Sequence, residues 1–69
     1  MFKGYCRAQF EYSAQTDEEL GIQEHELLLI IDDSDADWWT AKVKQTEQVG
    51  LVPSTYVEPV NQFFTPGFS

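Results

Sequence analysis

Aromatic side chains are the residues of this sequence whose type and spacing are best suited to binding. The members that lie in or beside apolar stretches are Phe10, Tyr12, Trp38, Trp39 and Tyr56. A chain of 69 residues cannot bury them all. A half-exposed Trp or Tyr offers apolar area while its N–H or O–H keeps a polar partner. Such a surface favours proline rings, because a polyproline II peptide is already extended and loses little entropy on docking.

Negative charge is the second feature. Twelve acidic residues face four basic ones, and the formal net charge is −8. Phosphates would be repelled, so nucleic acid is excluded as a partner and a basic peptide is the natural complement. Eight carboxylates cluster in or beside two polar segments: Glu11, Asp17, Glu18, Glu19, Asp32, Asp33, Asp35 and Asp37. They are either solvated faces, the usual case for charge runs, or a surface that steers basic ligands.

Catalysis lacks the necessary residues. His25 is the only histidine, and no serine or cysteine can be placed beside it with an orienting acid. Glu18 and Glu19 could in principle serve hydrolysis, but so short a chain offers no substrate cleft. Cys6 has no disulfide partner and is expected to be a packed core thiol. We therefore predict that the protein is not an enzyme and needs no cofactor.

Calcium binding is the other specific function that the acidic residues could serve. The spacing of Asp32, Asp33, Asp35 and Asp37 superficially resembles a calcium-binding loop. No glycine stands at the required turn, however, and no glutamate follows at the twelfth position. We therefore predict no metal.

Period-two apolar patterning predicts the elements that position these residues. It covers Cys6-Ala8-Phe10, Leu20-Ile22, Leu28-Ile30, and Val52 and Val57. No window has helical spacing with caps, so the fold is predicted to be all-β. Residues 27–31 alone could be a buried helical turn, but their short length and acidic flanks favour a strand.

The strands would be joined by polar loops at 13–19, 23–26, 32–37 and 44–48. Short strands over one small core give a barrel or sandwich, whose core we assign to Ala8, Leu20, Ile22, Leu28, Ile30, Ala41, Val52 and Val57. Trp38 and Trp39 must point to opposite faces of a strand. We assign Trp38 to a ligand surface and Trp39 to packing on the outer sheet face. His25 is expected in a tight turn at positive φ.

The chain ends lack strand patterning. No apolar run is long enough to span a membrane and no signal peptide follows Met1, so a cytoplasmic location is expected. Beyond Pro59 the pattern stops, and residues 60–69 are predicted to be a tail or linker. Its Phe63, Phe64 and Phe68 could dock on the barrel or contact another protein; we predict disorder in isolation.

Four sequence blocks, in order, resemble the SH3 domain family over residues 4–59. Ala8-Gln9-Phe10-Glu11-Tyr12 corresponds to Ala-Leu-Tyr-Asp-Tyr, and Glu19-Leu20-Gly21-Ile22 to acidic-Leu-Ser-Phe. Asp37-Trp38-Trp39 matches the tryptophan pair. Gly50-Leu51-Val52-Pro53-Ser54-Thr55-Tyr56-Val57 matches the Gly-x-x-Pro-Ser-Asn-Tyr-Val block. The set is more specific than any single block.

The resemblance implies a five-stranded barrel with a short 3₁₀ turn that binds PxxP-type peptides containing arginine or lysine. Two proline grooves would be formed by Phe10, Tyr12, Pro53 and Tyr56. Trp38 would separate them from a specificity pocket, opposite which Asp17, Glu18 and Glu19 hold the basic residue, with Asp37 beside it.

Three positions depart from the family pattern and put affinity in question. Phe10 lacks the usual hydroxyl, Leu51 replaces a frequent aromatic, and Thr55 replaces an asparagine.

Within the family, the sequence resembles the first SH3 domain of the Sla family of fungal endocytic and actin-assembly adaptors. This implies cortical actin patches, endocytosis, and proline-rich activators of actin nucleation as ligands of a monomeric module. Two alternatives remain: ubiquitin binding, which in similar adaptors goes with phenylalanine at the position of Tyr56, and a dimerising module.

Overall fold

Five antiparallel strands and one 3₁₀ turn make up the computed structural model, which describes residues 4–60. The strands are β1 (Gly4–Ala8), β2 (Leu27–Asp32), β3 (Trp38–Val43), β4 (Val49–Pro53) and β5 (Val57–Val60), and the 3₁₀ turn is Ser54–Tyr56. They form one sheet in the order β4-β3-β2-β1-β5. The predicted all-β fold with five strands and a 3₁₀ turn is confirmed, and the ambiguous segment 27–31 is a strand.

The loop between β1 and β2 closes the sheet at its β4 edge. Leu20 N–H donates to the Leu51 carbonyl at 2.8 Å, and Leu51 N–H donates to the Glu18 carbonyl at 2.9 Å. An edge strand with unpaired backbone groups invites unwanted pairing, and this loop occupies those groups. Gly50 permits the close approach, because a Cβ there would lie 2.9 Å from Leu20 Cβ and 3.1 Å from the Glu18 carbonyl oxygen.

The core follows the strand alternation. The buried side chains within residues 4–60 are Cys6, Ala8, Leu20, Ile22, Leu28, Ile30, Ala41, Val43, Val52 and Val57. All eight predicted core residues and the Cys6 thiol are among them. Val43 was not predicted, although its position two residues after Ala41 on β3 places it on the same face.

Three apolar residues that alternate like strand residues, Leu20, Ile22 and Phe10, are not parts of strands. Leu20 and Ile22 lie in the long loop between β1 and β2. Ile22 forms an isolated bridge with Tyr12, in which each N–H donates to the other residue's carbonyl at 2.9 Å. Phe10 lies beyond the end of β1 and is 54% exposed. Alternation reports which side chains point inward, and a loop packed on the core shows the same pattern without forming a ladder.

Trp39 does not pack on the outer sheet face, which corrects the prediction. It has the same parity along β3 as the buried Ala41 and Val43, and its half-buried ring packs against the core. Since adjacent residues of a strand point to opposite faces, Trp38 is directed away from this core side.

Two turns of the described chain contain a non-glycine residue at positive φ. His25 has φ of 76°, which confirms the predicted positive φ. Glu47 has φ of 67° and was not predicted; its N–H donates to the Val43 carbonyl at 2.7 Å in the turn between β3 and β4.

The predicted boundaries shift by a residue at two strand ends. Asp32 is the last residue of β2 rather than the first loop residue. Val60, assigned to the tail, is the last residue of β5 and pairs with Tyr5. The remaining tail positions, including Phe63, Phe64 and Phe68, lie outside the described residues. Within 4–60 no helix has the length and apolar character needed to cross a bilayer.

Candidate functional site

Four aromatic rings lie in a row on the surface of the barrel, and we call them the aromatic row. The order is Phe10, Tyr56, Tyr12 and Trp38, with ring centroids separated by 5.6, 5.6 and 6.1 Å. Each neighbouring pair meets edge to face, a geometry that aromatic quadrupoles favour. Phe10 is exposed and the other three are half-buried. The structure thus brings together four rings that are up to 46 positions apart in the sequence.

Backbone hydrogen bonds place the two tyrosines. Tyr12 is held by its reciprocal bonds with Ile22, and its ring also packs against the core. Tyr56 ends the 3₁₀ turn, and its carbonyl accepts a hydrogen bond of 2.7 Å from Gln9 N–H. The residue beside Phe10 is therefore tied to Tyr56, which brings the start of the long loop next to the 3₁₀ turn.

Trp38 is positioned by β4 and by the loop before β3. It is the first residue of β3 and pairs with Pro53, the last residue of β4. Asp35 Oδ1 accepts hydrogen bonds from Asp37 N–H at 2.8 Å and from Trp38 N–H at 3.2 Å. A carboxylate that bonds the backbone two residues on is a turn-forming device. Pro53 is thus adjacent to Trp38, as a proline groove would need.

Ser54 joins the same loop to the 3₁₀ turn. Its N–H donates to the Asp37 carbonyl at 2.9 Å, and its hydroxyl donates to the Ala36 carbonyl at 2.8 Å. The sequence analysis did not assign these positioning roles to Ser54 and Asp35. The signal for Asp35 was present, since Asp in a polar loop commonly accepts a hydrogen bond from the backbone N–H two residues on. Thr55, which follows Ser54, is exposed.

Glu19 carries negative charge to Tyr12, the ring between Tyr56 and Trp38 in the aromatic row. Its Oε1 accepts hydrogen bonds from the Tyr12 hydroxyl at 2.6 Å and from Gln15 N–H at 2.8 Å. The Tyr12 hydroxyl and then the Gln15 amide lower the pKa of the Glu19 carboxyl. The same bond, with burial and the Glu19 charge, raises the pKa of Tyr12 to about 12. Glu19 is therefore an oriented anion at neutral pH.

The other carboxylates predicted to bind the ligand lie near the aromatic row only through their position in the chain. Asp17 and Glu18 lie in the exposed turn that precedes Glu19. Asp37 is exposed and adjoins Trp38 along the chain. Glu19 is the member whose contact with the aromatic row is defined by a hydrogen bond.

The arrangement suits binding rather than bond-breaking chemistry. It offers partly exposed aromatic rings beside an oriented carboxylate, which can hold an apolar, extended, cationic ligand. His25 is exposed on the turn before β2, and its Nε2 lies 3.6 Å from Glu24 Oε2. Among residues 4–60 no three His, Cys, Asp or Glu side chains are grouped so as to hold a metal ion.

Comparison with known proteins points to one family. The family model described as SH3 domain matches residues 7–54. The solved structure named CED-2 aligns with a TM-score of 0.81 at 25% identity, over 87% of this chain and 35% of that chain.

Curated relatives carry the same domain within much longer chains. The proteins named "Actin cytoskeleton-regulatory complex protein SLA1" from Candida albicans and Vanderwaltozyma polyspora are 39% and 44% identical over 67 and 64 residues. "Myosin IC heavy chain" from Dictyostelium discoideum is 38% identical over 53 residues. The matches cover 84%, 84% and 77% of this chain but 5%, 5% and 4% of the relatives. These matches, together with the five-stranded barrel, show that the chain belongs to the SH3 domain family of protein-interaction modules.

Proposed function

We propose that this domain binds proline-rich peptides containing an arginine or lysine, with the apolar part of the ligand on the aromatic row and the basic residue at Glu19. The observation that carries the proposal is the continuous row of four partly exposed rings. Its action is recognition, without turnover of the bound peptide.

The spacing of the rings supports a polyproline II ligand. That helix has three residues per turn and rises about 3.1 Å per residue, so prolines on one face recur about every 9 Å. Two successive ring-to-ring steps of 5.6 Å are of comparable length. One turn of the ligand would therefore span about two ring-to-ring steps, from Phe10 past Tyr56 to Tyr12, with Pro53 contributing to the groove at the far end.

The charge pattern supports a basic residue at one end of that ligand. Glu19 is held by Tyr12, which neighbours Trp38, and Asp37 adjoins Trp38 in sequence. A guanidinium or ammonium group beyond Trp38 would meet these carboxylates, and the exposed Asp17 and Glu18 would add attraction at longer range.

The departures from the family pattern set an expectation for affinity. Phe10 offers no hydroxyl to the ligand, and Leu51 and Thr55 replace residues that would supply a groove wall and a hydrogen bond. Small, shallow interfaces bind in the micromolar range. Other modules of a parent protein would raise the effective concentration of such a contact.

The relatives support a role for the parent protein in actin regulation. Two of them are named as actin cytoskeleton-regulatory proteins and one as a myosin heavy chain. We place the domain at the first SH3 position of an adaptor of this kind, in the cytoplasm at cortical actin patches, where it would engage activators of actin nucleation during endocytosis.

An NMR titration tests the binding mode. A peptide with a PxxP core and one terminal arginine is added to the labelled protein, and the matched control peptide carries glutamine in place of arginine. We expect the largest shift changes at Phe10, Tyr12, Trp38 and Tyr56, and weaker binding of the control. Shift changes elsewhere on the barrel, or equal affinity for both peptides, would contradict the proposal.

Ubiquitin serves as the comparison ligand in the same experiment. Tyr56 stands where ubiquitin-binding relatives of this kind carry phenylalanine, so we expect ubiquitin to perturb Trp38 and Tyr56 less than the proline peptide does. The reverse ranking would replace proline recognition by ubiquitin recognition.

A further inference from the structure

Positive charge in this acidic chain is confined to one face of the sheet. Of the twelve carboxylates, only Asp32 and Glu58 lie in strands, and the others lie in loops and turns. The three cations of the described chain are instead on the sheet, with Arg7 in β1, Lys42 in β3 and Lys44 directly after β3. Each is a neighbour of buried residues in its strand, so its side chain points to the outer face.

Strand pairing puts these cations on either side of β2. Arg7 pairs with Leu27 from β1, and on the other side Lys44 N–H donates to the Leu27 carbonyl at 3.1 Å. Leu29 pairs with Lys42 of β3. Both leucines are half-buried and alternate with buried residues of β2, so they share the outer face with the cations. We call Arg7, Leu27, Leu29, Lys42 and Lys44 the basic patch.

The cations of the basic patch form no ion pair within residues 4–60. Two carboxylates next to them are bonded to other groups. Glu58, which pairs with Arg7 across β1 and β5, accepts a hydrogen bond of 2.8 Å from Gln9 Nε2. Glu26 Oε1 accepts one of 3.0 Å from Gln23 N–H. The positive charge of the basic patch is therefore left to attract an anionic partner.

A depression of about 400 Å³ opens at one end of the basic patch. It is lined by His25, Glu26, Leu27, Lys44 and Gln45. An apolar residue and a cation of the patch thus border the same concave surface. A ligand side chain seated there would contact Leu27 and lie beside the Lys44 ammonium group.

The dimensions of the basic patch fit an α-helix laid along β2. Leu27 and Leu29 are about 6.7 Å apart along the strand, and residues i and i+4 of a helix are about 6 Å apart along its axis. The cations on β1 and β3 are separated by two strand spacings, about 9.6 Å, which is close to the helix diameter of about 10 to 12 Å. An apolar stripe with carboxylates on both flanks would therefore match the leucines and the cations together.

Charge favours a short acidic segment over a membrane or a second copy of this domain. The domain carries a net charge of −8, so an extended anionic bilayer would repel it as a whole. A second copy would bring another eight negative charges. A helix brings its carboxylates to the patch alone, where the nearest charges are positive.

We propose that the basic patch binds an amphipathic helix of a partner protein, with acidic residues on both flanks of its apolar stripe. The stripe lies along Leu27 and Leu29. The carboxylates on one flank meet Arg7, and those on the other meet Lys42 and Lys44.

This surface is separate from the aromatic row. Lys42 follows Trp38 by four residues of β3, a distance of about 13 Å along the strand. The inference therefore goes beyond proline recognition and does not rest on it. A domain with both surfaces would hold a basic ligand and an acidic one at the same time.

An NMR titration of the 69-residue chain tests the proposal. The probe is a peptide of about 18 residues, long enough to form a helix, with leucines at i, i+4 spacing and glutamates on both flanks of that stripe. We expect it to shift the methyl resonances of Leu27 and Leu29 and to leave the Trp38 indole N–H in place. Shift changes confined to the aromatic row, or no changes at all, would overturn the proposal.

Two control peptides separate charge from helical pattern. One carries glutamine in place of every glutamate, and the other has the same composition in an order that removes the stripe. Each should bind at least about fivefold more weakly than the probe. Equal affinity of the first would overturn the role of charge, and equal affinity of the second would overturn the choice of a helix.

Lys44→Gln tests the patch from the side of the protein. We expect several-fold weaker binding of the acidic helix and no weakening of a proline-rich peptide. Gln15→Glu is the matched control, because it makes the same change in net charge in the exposed long loop, and it should weaken the acidic helix less. Equal losses in the two variants would overturn a local site, and a loss of proline-peptide binding in Lys44→Gln would overturn the separation of the two surfaces.

Vesicles test the membrane as an occupant of the same patch. With phosphatidylserine as about one third of the lipid, we expect the domain to stay in the supernatant after sedimentation. Sedimentation of the wild type that Lys44→Gln abolishes would assign the basic patch to a membrane and overturn the proposal.

Discussion

Tyr12 serves two parts of the candidate site at once. Its ring lies between Tyr56 and Trp38 in the aromatic row, and its hydroxyl donates to Glu19. The apolar and the charged parts of the surface are thus joined through one side chain. A displaced Tyr12 would disturb the aromatic row and the orientation of the Glu19 carboxylate together.

The Tyr12–Glu19 bond also links folding to pH at both ends of the scale. Glu19 has a lowered pKa, so its contribution to stability is complete above its unfolded pKa and is lost as the pH falls through the folded value. Tyr12 has a raised pKa, so its contribution is present below its ordinary value of 10.0 and is lost as the pH rises toward about 12. At pH values between the pKa of Glu19 and the pKa of Tyr12, the hydrogen bond is intact.

Trp38→Lys tests the end of the aromatic row. We expect this variant to fold and to lose at least about tenfold in affinity for a proline-rich peptide, because large aromatics at interface centres are frequent hot spots. Trp38→Phe, which keeps a ring, is the control and should lose less. Calorimetric titration measures both, and wild-type affinity in Trp38→Lys would rule out its role.

Glu19→Gln tests the charge without removing the hydrogen bond acceptor. We expect weaker binding of an arginine-containing peptide and little change for its glutamine analogue, because the amide oxygen can still accept from Tyr12. Glu47→Gln changes the net charge equally at the far end of β3 and should have little effect on either peptide. Parallel losses for both peptides in Glu19→Gln would contradict an ionic role.

At the scale of elements, the long loop from β1 to β2 carries half of the predicted site residues, and backbone hydrogen bonds attach it to the rest of the domain along its length. Near its start Gln9 N–H donates to the Tyr56 carbonyl, in its middle residues 18–20 bond Leu51, and near its end His25 N–H donates to the Ala8 carbonyl. The attachment to Leu51 flanks Glu19. Closure of the barrel and placement of the carboxylate therefore depend on the same contact with β4.

Gly50→Ala tests that attachment. The added Cβ would come within 2.9 Å of Leu20 Cβ and 3.0 Å of Leu20 N, so the loop must shift. We expect a loss of about 1–3 kcal/mol in the free energy of unfolding, typical of overpacking, with weaker binding of arginine-containing peptides. Urea denaturation measures the first effect.

Gly21→Ala is the matched control for Gly50→Ala, since its Cβ would meet no atom closer than 3.6 Å and its φ is not positive. We expect its stability to equal or exceed that of the wild type by up to about 1 kcal/mol. Equal stability of the two variants would show that β4 and the loop tolerate more separation than the structure indicates.

Glu47→Gly tests the strain in the turn between β3 and β4. A non-glycine residue at φ of 67° is strained by about 1–3 kcal/mol, and glycine removes the strain at a smaller cost in backbone entropy. We expect a net gain of about 1 kcal/mol in thermal or urea unfolding. Gln48→Gly, at a neighbouring residue without positive φ, should destabilise instead.

At the scale of the whole molecule, the net charge of −8 acts on stability and on binding in opposite senses. Mutual repulsion among carboxylates opposes compaction, whereas the same charge attracts a basic ligand. Both effects fall as salt shortens the screening length from about 10 Å at 0.1 M to about 3 Å at 1 M.

Sodium chloride should therefore raise the melting temperature while weakening the binding of an arginine-containing peptide. Thermal unfolding and peptide titration over the same salt series measure the two trends, and the glutamine analogue should show little dependence on salt. A melting temperature that falls with salt would indicate that favourable ion pairs outweigh the repulsion.

The sequence by itself determined the fold class, the predicted core and the types of residue in the aromatic row. Alternating apolar residues report which side chains face inward, and the side chains buried at positions such as Ala8, Leu28 and Val52 are those that the pattern indicated. The turn at His25 followed from local backbone preference. These features depend on residues near one another in the chain, so short sequence windows contain the information.

Only the tertiary structure decided features that depend on contacts between distant segments. The parity of β3 relative to the core put Trp39 inward, and packing of the long loop kept Leu20 and Ile22 out of a strand ladder. The bond from Tyr12 to Glu19 and the convergence of Trp39 and Pro59 in one groove likewise need the closed barrel. Sequence spacing holds no record of such contacts, because they are set by how the strands pair and curl.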